Sequence, residues 1–191
     1  MIKLVKKLIE WFRSLSDEKV DWNKIDKSFL VFSDHPLKNN GWVKGWVKSK
    51  RECIVAKHSH PSVGQHLHVW IDGERFENII DTVKAVGLDT TLCSMREDWP
   101  EKVVIYPIAG KPNRKQKIIT FHQDKRFSWR RVIEKQTAFT GDNIFESRII
   151  AGDSGLPWVC WQDNQFKVLS HNYRGEYGIG PKYYEFLKND K

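Results

Sequence analysis

Cysteine is scarce in this chain of 191 residues, and long apolar runs are absent. Cys53, Cys93 and Cys160 are far apart in sequence and include no C-x-x-C pair. This spacing argues against a disulfide framework and against a zinc site with the usual paired ligands. It favours three buried structural thiols and a reducing compartment such as the cytoplasm. No stretch approaches the roughly 18 apolar residues of a transmembrane helix, and no uninterrupted signal-peptide core is present.

Low hydrophobicity is absent too, which excludes a disordered chain. Hydrophobic residues make up 40% and aromatic residues 13%, including nine Trp. The twelve Gly and seven Pro are ordinary numbers, so collagen-like and low-complexity classes are also excluded. Positive charge is in excess, because 32 Lys and Arg against 24 Asp and Glu give a net charge of +8. This charge makes nucleic acid and anionic membranes candidate partners.

The first 27 residues are predicted to form an amphipathic helix and a polar connector. Apolar residues recur there at the spacing of one helix face, and charged residues including Lys3, Lys6 and Lys7 occupy the remaining arc. We expect the apolar face to pack on the chain's own domain. Docking on a partner protein or on an anionic membrane is the alternative. The apolar residues are Ile2, Val5, Leu8, Ile9, Phe12 and Leu15.

Short apolar or alternating runs separated by turns fill the chain from residue 28 onward, which is typical of an all-β sandwich or barrel. They fall into two sets, which predicts two antiparallel β-barrels over 28–110 and 111–191. A short helix at 181–188, beginning with a proline, is predicted to close the chain. The predicted strands are 29–32, 53–56, 65–71, 88–95, 103–106, 117–121, 128–134, 148–150, 158–161 and 166–169.

The hexapeptide Gly152-Asp-Ser-Gly-Leu-Pro157 carries the strongest indication of chemistry. Glycines on both sides of Ser154 allow a tight turn that projects the hydroxyl and leaves backbone N–H groups available. Such N–H groups stabilise a tetrahedral oxyanion. Because a serine hydroxyl is a weak nucleophile at neutral pH, the hypothesis requires a histidine base that is oriented by a carboxylate.

His58 is the best candidate for the base, because the apolar run 53–56 delivers it at the end of a strand. His60, His66 and His68 are close rivals. The last two alternate along a predicted strand, which is more typical of a surface or of a metal-like pair. A metal site built from these histidines is disfavoured, because no Cys or acidic residue at ligand spacing completes it.

Asp89 is the candidate for the orienting acid, because it directly precedes an alternating strand. Asp72 lies in an Asp-Gly turn and Asp81 begins a polar segment, so both are expected to be solvated. The three candidates then follow one another along the chain as His58, Asp89 and Ser154.

This order resembles that of the trypsin/chymotrypsin-like serine proteases, whose triad runs His, Asp, Ser along the chain. Ile54-Val-Ala-Lys-His58 is similar to the family's histidine motif, and Asp89-Thr-Thr-Leu-Cys-Ser-Met95 is similar to its aspartate motif, with Thr91 in place of Ala. The serine motif matches at all of its positions from Gly152 to Pro157. The resemblance covers 28–188, and its short spacings are similar to those of compact viral, phage and bacterial members.

The resemblance implies two six-stranded β-barrels of the chymotrypsin type, with the site in the cleft between them and no metal or cofactor. His58 would act as general base and then as acid, and Asp89 would hold its tautomer. The backbone N–H groups of Gly152 and Ser154 would form the oxyanion hole. The family's disulfides are missing here, as is the Ile-Val-Gly-Gly start that pairs with the motif's aspartate in zymogen members. Asp153 therefore needs another partner.

The same resemblance implies three substrate-binding residues. The segment 167–173 is similar to the strand that lines the primary pocket, which places Ser170 near the substrate backbone. His171 resembles the pocket histidine of glutamate- or glutamine-cleaving relatives when the alignment is shifted by two, and Arg148 falls where relatives place the residue at the pocket base. Arg148 and His171 together favour an acidic or polar side chain before the scissile bond.

The predicted function is therefore a serine endopeptidase acting on a protein or peptide substrate. The alternative is a catalytically inactive binding module on the same barrels, which would recognise nucleic acid or a partner protein through Trp side chains and a basic surface. Nucleic acid is the less favoured partner, because Lys and Arg are spread along the chain rather than clustered. A lipase-type hydrolase is disfavoured, because no Asp-x-x-His pair follows Ser154.

Overall fold

The computed structural model describes residues 5–7, 20–33, 43–110, 117–123, 129–135 and 153–172. Residues 5–7 are helical and exposed. The rest of the predicted amino-terminal helix, the predicted helix at 181–188 and the predicted strand at 148–150 lie outside these ranges. Within them, no helix has both the length and the apolar composition that crossing a membrane requires.

Six antiparallel strands close into a barrel, in the part of the chain where the first barrel was predicted. Their order around the barrel is β1-β2-β3-β6-β5-β4, and β4 pairs back onto β1, where Phe32 lies opposite His68. Closure pairs the backbone groups that an open sheet would leave at its edges. The strands are β1 Leu30–Ser33, β2 Lys44–Ser49, β3 Glu52–Ala56, β4 His66–Ile71, β5 Glu74–Ala85 and β6 Thr90–Met95.

The first three strands are buried on both faces, because they lie between two hydrophobic clusters. Val31, Val47 and Val55 belong to the cluster that fills the barrel. The alternate residues of the same strands join a second cluster with side chains of the carboxy-terminal sheet, so this cluster joins the two halves of the chain. Its members include Leu30, Phe32, Trp46 and Ile54 from the barrel, and Ile119, Phe121, Val159 and Val168 from the sheet.

Four antiparallel strands form the second sheet, in the order β10-β9-β7-β8. The turn between β9 and β10 has positive φ at Asp163 and Asn164, as a tight hairpin requires. The described residues thus contain one closed barrel and one four-stranded sheet, where two barrels were predicted. The strands are β7 Lys117–Gln123, β8 Trp129–Lys135, β9 Pro157–Gln162 and β10 Gln165–His171.

Three segments differ from the strand predictions. Lys44–Ser49 forms β2 where no strand was predicted. Glu74–Ala85 forms the longest strand of the barrel but was not predicted, because its buried side chains are confined to Asn78 and Ile80 and the pattern is otherwise polar. Residues 103–106, a predicted strand, have irregular backbone instead. Val103 packs into the barrel cluster, and the Tyr106 hydroxyl accepts a hydrogen bond from the Asp26 backbone N–H at 3.0 Å. These residues therefore pack against the rest of the protein from an irregular connecting segment rather than from a strand.

Candidate active site

His58 and Asp89 come together because the strands that carry them are paired. In the antiparallel pairing of β3 and β6, Ala56 lies opposite Thr90, so the residues just beyond Ala56 meet the residue just before Thr90. His58 then lies in a single 3-10 turn, Lys57–Ser59. Asp89 accepts two hydrogen bonds from His58: its Oδ1 lies 2.8 Å from the backbone nitrogen and its Oδ2 lies 2.5 Å from ring Nδ1.

The two members of this pair differ in their access to solvent. The Asp89 side chain is 7% exposed, whereas the His58 side chain is 30% exposed. A carboxylate can only accept, so ring Nδ1 of His58 carries the proton of their hydrogen bond, and Nε2 of the neutral ring is an acceptor. A buried carboxylate behind a half-exposed imidazole can therefore orient a general base.

Ser154 lies in a turn that is pressed against the first barrel. Gly155, the next residue, has φ +89°, and a Cβ placed on it would lie 2.0 Å from the Lys44 carbonyl oxygen and 3.2 Å from the Ala56 nitrogen. Only glycine fits this conformation and this close approach. Ala56 is two residues before His58, so the turn that holds the half-buried Ser154 contacts the barrel close to the end of the strand that leads to His58.

The backbone of the serine turn is tied to Asn172, just beyond β10. The Asp153 carbonyl oxygen accepts hydrogen bonds from Asn172 Nδ2 at 2.9 Å and from the Leu156 N–H at 3.1 Å. The Gly155 N–H donates to the Asn172 carbonyl oxygen at 3.1 Å. Trp158 Nε1 donates to Asn172 Oδ1 at 2.5 Å, which orients the amide. These bonds fix the conformation of the turn from one side.

Asp153 has the partner that the sequence required, and that partner is His122 on β7. Their side chains are 2.5 Å apart between Oδ2 and Nδ1, and both are buried. β7 reaches the turn because it pairs with β9, Thr120 lying opposite Trp158, and continues past the start of that strand. His122 was not among the residues predicted from the sequence. No local pattern singles it out, because its approach to Asp153 depends on the pairing of β7 with β9.

Lys44 of β2 brings a second basic side chain to the same region. It is 6% exposed, and its backbone carbonyl contacts the serine turn at Gly155. Burial lowers the pKa of the Lys44 ammonium, and the negative charge of Asp153 opposes that shift. Asp153 is therefore near enough to interact with basic side chains of both halves of the chain, His122 of the second sheet and Lys44 of the barrel.

Ser170 and His171, predicted to contact substrate, are buried side chains at the end of β10, 2% and 0% exposed. The His171 ring donates a hydrogen bond to the Asp89 backbone carbonyl oxygen, so it lies behind the His58–Asp89 pair. Burial lowers the pKa of His171 to about 3, although Asp89 acts in the opposite direction, so the ring is neutral at neutral pH. Arg148 and Gly152 lie outside the described residues.

The remaining candidates are distributed around the first barrel. His60 ends the 3-10 turn in a left-handed conformation, and His66 pairs with Glu77 at an exposed position. His68 is 8% exposed and packs against Phe32. In the part of the chain that the structure describes, no three His, Cys, Asp or Glu side chains are grouped to hold a metal ion.

The three cysteines are buried and form no disulfide. Cys53 and Cys93 lie opposite each other on β3 and β6. Burial raises the pKa of Cys53 well above its ordinary value and that of Cys93 to about 12. Both thiols are therefore protonated at neutral pH, which makes them poor nucleophiles.

No protein-family model matches the chain, and no curated protein matches it. Among solved structures, it is similar to the crystal structure of a thermostable serine protease, AL20, from an extremophilic microorganism. The TM-score is 0.61 at 15% sequence identity, and the match covers 86% of this chain and 95% of that chain. At this identity the likeness shows a shared fold, and the chemistry has to be argued from the site.

Proposed function

We propose that the chain is a serine endopeptidase with His58, Asp89 and Ser154 as its catalytic triad. The observation that carries the proposal is the pairing of a buried carboxylate, 2.5 Å from Nδ1, with a histidine whose side chain is 30% exposed. The turn that carries Ser154 approaches the backbone of Ala56, two residues before that histidine in the chain. The fold shared with a serine protease supports the same conclusion.

In the proposed reaction, His58 Nε2 removes the proton from the Ser154 hydroxyl as Oγ attacks the carbonyl carbon of a peptide bond. The protonated imidazole is stabilised by Asp89 and then gives its proton to the leaving amine as the C–N bond breaks. A water molecule attacks the resulting ester, His58 takes the water's proton, and Ser154 regains it when the acid product leaves. The cycle needs the hydrogen bond between Ser154 and His58, which is part of the proposal.

The oxyanion of the tetrahedral intermediate needs donors that are already oriented. We assign this role to the backbone N–H groups of Ser154 and Gly152, which the turn would direct to one point. The ties between Asn172 and the backbone of Asp153 support this assignment for Ser154, because they hold the peptide that carries its N–H.

For the substrate we propose an acidic or polar side chain before the scissile bond, based on the sequence positions of Arg148 and His171. The burial of Ser170 and His171 makes Arg148 the residue to test first. In a peptide library, Arg148→Ala should reduce the preference for acidic residues at that position. A preference of the wild type for Lys or Arg would contradict the proposal.

The protease proposal is tested by covalent labelling of the nucleophile. A fluorophosphonate probe should label the wild-type chain stoichiometrically at Ser154, as identified by mass spectrometry, and should not label Ser154→Ala. Ser28→Ala is a matched control, because it removes a hydroxyl from a buried serine that bonds the backbone of Lys102 and Val104, and it should leave labelling of Ser154 in place.

The alternative binding module predicts the opposite result. Absence of labelling in a folded wild type, together with tight and salt-dependent binding of DNA or RNA, would refute the protease and support that module. Cleavage of a denatured protein mixture by the wild type but not by Ser154→Ala would support the protease directly.

A further inference from the structure

The His122–Asp153 pair is buried directly beside the proposed nucleophile, yet the proposed reaction does not use it. The two side chains are 4% and 3% exposed, with Nδ1 and Oδ2 2.5 Å apart. A carboxylate away from water is strongly destabilised when it loses a partner. Because Asp153 directly precedes Ser154, any movement of its side chain is transmitted to the serine turn.

His122 is itself held in place on both ring nitrogens. The carboxylate can only accept, so Nδ1 donates to Asp153. Nε2 lies 3.2 Å from the Thr120 hydroxyl, which can donate or accept. Thr120 and His122 share a face of β7, since they are two residues apart on a strand. Thr120 of the second sheet therefore holds the imidazole from one side, and Asp153 of the serine turn meets it on the other.

We propose that His122 is a positioning residue, which acts through Asp153 to hold the turn that presents the Ser154 hydroxyl and backbone N–H. The inference rests on the proposed function, because the orientation of Ser154 matters only if it is the nucleophile.

The geometry of the peptide bond makes this positioning effective. The bond between Asp153 and Ser154 is planar, so the direction of the Asp153 carbonyl sets the direction of the Ser154 N–H. Asn172 holds that carbonyl at 2.9 Å, and His122 holds the side chain of the same residue. Asp153 is therefore held by β7 through its side chain and by the end of β10 through its backbone. The proposed oxyanion donor is oriented by both.

The test compares His122→Leu with His122→Asn. Leucine and asparagine branch at Cγ in the same way and have the same number of side-chain heavy atoms, so the two variants differ mainly in polarity. Asparagine retains an N–H near the position of Nδ1, whereas leucine does not. The readouts are kcat and KM on a peptide substrate, the rate of fluorophosphonate labelling, and the unfolding transition of each variant. His68→Leu is the matched control at a buried histidine of the first barrel, on β4, whose ring packs against Phe32 and Trp70.

The inference predicts that folded His122→Leu loses at least about 100-fold in kcat and in labelling rate, comparable to the loss of one oxyanion donor. KM should change by less than about threefold, because substrate binding is not the affected step. His122→Asn should recover at least about tenfold of the loss in kcat. His68→Leu should keep kcat within about twofold of wild type, whatever its stability.

Equal kcat values for folded His122→Leu and His122→Asn would overturn the inference, as would a wild-type kcat in His122→Leu. If His122→Leu does not fold, Asp153→Asn decides the matter, because it preserves the shape of Asp153 and removes the charge. The inference then requires a loss in kcat of at least about tenfold, and wild-type activity would refute it. A wild type without labelling or cleavage would instead refute the proposed function.

Discussion

The His58–Asp89 and His122–Asp153 pairs are alike in their bond and different in their surroundings. In both, a carboxylate oxygen lies 2.5 Å from Nδ1 of a histidine 31 residues earlier in the chain. The imidazole of His58 is 30% exposed, whereas that of His122 is 4% exposed. The same bond can thus orient a base that is open to solvent or hold a turn from within the protein interior.

The two pairs differ in the surroundings of the second ring nitrogen, Nε2. Nε2 of His122 is engaged by Thr120 inside the second sheet, at 3.2 Å. His58 lies in a turn at the edge of the barrel, where its ring meets solvent. A histidine can transfer protons to a substrate only when one nitrogen is accessible, so the difference in exposure favours His58 for the proposed catalytic role and His122 for the proposed positioning role.

Replacing each histidine by alanine should separate the two roles most sharply. His58→Ala should lower kcat by at least about 10⁴-fold, because it removes the general base. Its unfolding free energy should fall by less than about 2 kcal/mol, since the backbone N–H of residue 58 still binds Asp89. His122→Ala should lower stability by about 3–5 kcal/mol, because it leaves a buried carboxylate with one partner fewer.

The kcat values are measured by steady-state kinetics on chains that keep Ser154. The unfolding free energies are measured by urea unfolding in the Ser154→Ala background, which prevents self-cleavage. Equal stability losses in the two variants would show that exposure does not distinguish the pairs. A His58→Ala variant with kcat within tenfold of wild type would exclude His58 as the base.

Gly155→Ala should disrupt the serine turn at its contact with the barrel. The new Cβ would meet the Lys44 carbonyl at 2.0 Å, and the residue would also be strained at φ +89°. We expect a loss of at least about 2 kcal/mol in stability and at least about 100-fold in kcat. Gly73→Ala is the matched control, because Gly73 has φ +84° but no atom within 4 Å of its Cβ position.

Gly73→Ala should lower the free energy of unfolding only by the conformational strain, about 1 kcal/mol, and should leave kcat unchanged. Circular dichroism with urea titration, and kcat on a peptide substrate, measure both variants. If the two substitutions behave alike, the close approach of the turn to the barrel does not matter for stability or activity.

The neighbourhood of His58 and Asp89 could be predicted from sequence because each residue lies next to a recognisable strand. The apolar run before His58 and the alternating run after Asp89 are both visible in the chain, and their strands pair in the barrel. The strand Glu74–Ala85 could not be predicted in this way, since much of it faces solvent and its pattern is polar.

His122 could not be predicted because its partner is determined by strand order rather than by spacing. The resemblance to the protease family implies that Asp153 needs a partner, but any basic residue of the chain could have supplied it. The pairing of β7 with β9 brings His122 to the serine turn. That pairing depends on tertiary packing of the second sheet, which local patterns do not encode.

His171 provides a test of the interior behind the His58–Asp89 pair. Its pKa of about 3 in the folded chain lies below the ordinary value of 6.5, so the unfolded chain binds more protons between these values. The stability of the wild type should therefore fall as pH decreases from about 6.5, by up to about 1.4 kcal/mol per pH unit for one proton. His171→Gln does not titrate and should have a shallower slope.

The slope is measured by urea unfolding between about pH 4 and pH 6.5, in the Ser154→Ala background. Other groups titrate in the same range, so the difference between the two slopes is the quantity that reports on His171. Parallel curves for the two variants would contradict the placement of a neutral, buried His171 against Asp89.

The smallest effect is expected at a third histidine–carboxylate pair, on the outer surface of the barrel. His66 Nδ1 lies 3.3 Å from Glu77 Oε2, and the side chains are 55% and 45% exposed. Water screens such a pair, so His66→Gln should change stability by less than about 1 kcal/mol and leave kcat unchanged. A double-mutant cycle with Glu77→Gln, measured by urea unfolding, isolates the coupling. Coupling above about 2 kcal/mol would mean that exposure does not decide what a histidine–carboxylate pair contributes, and the distinction between His58 and His122 would lose its physical basis.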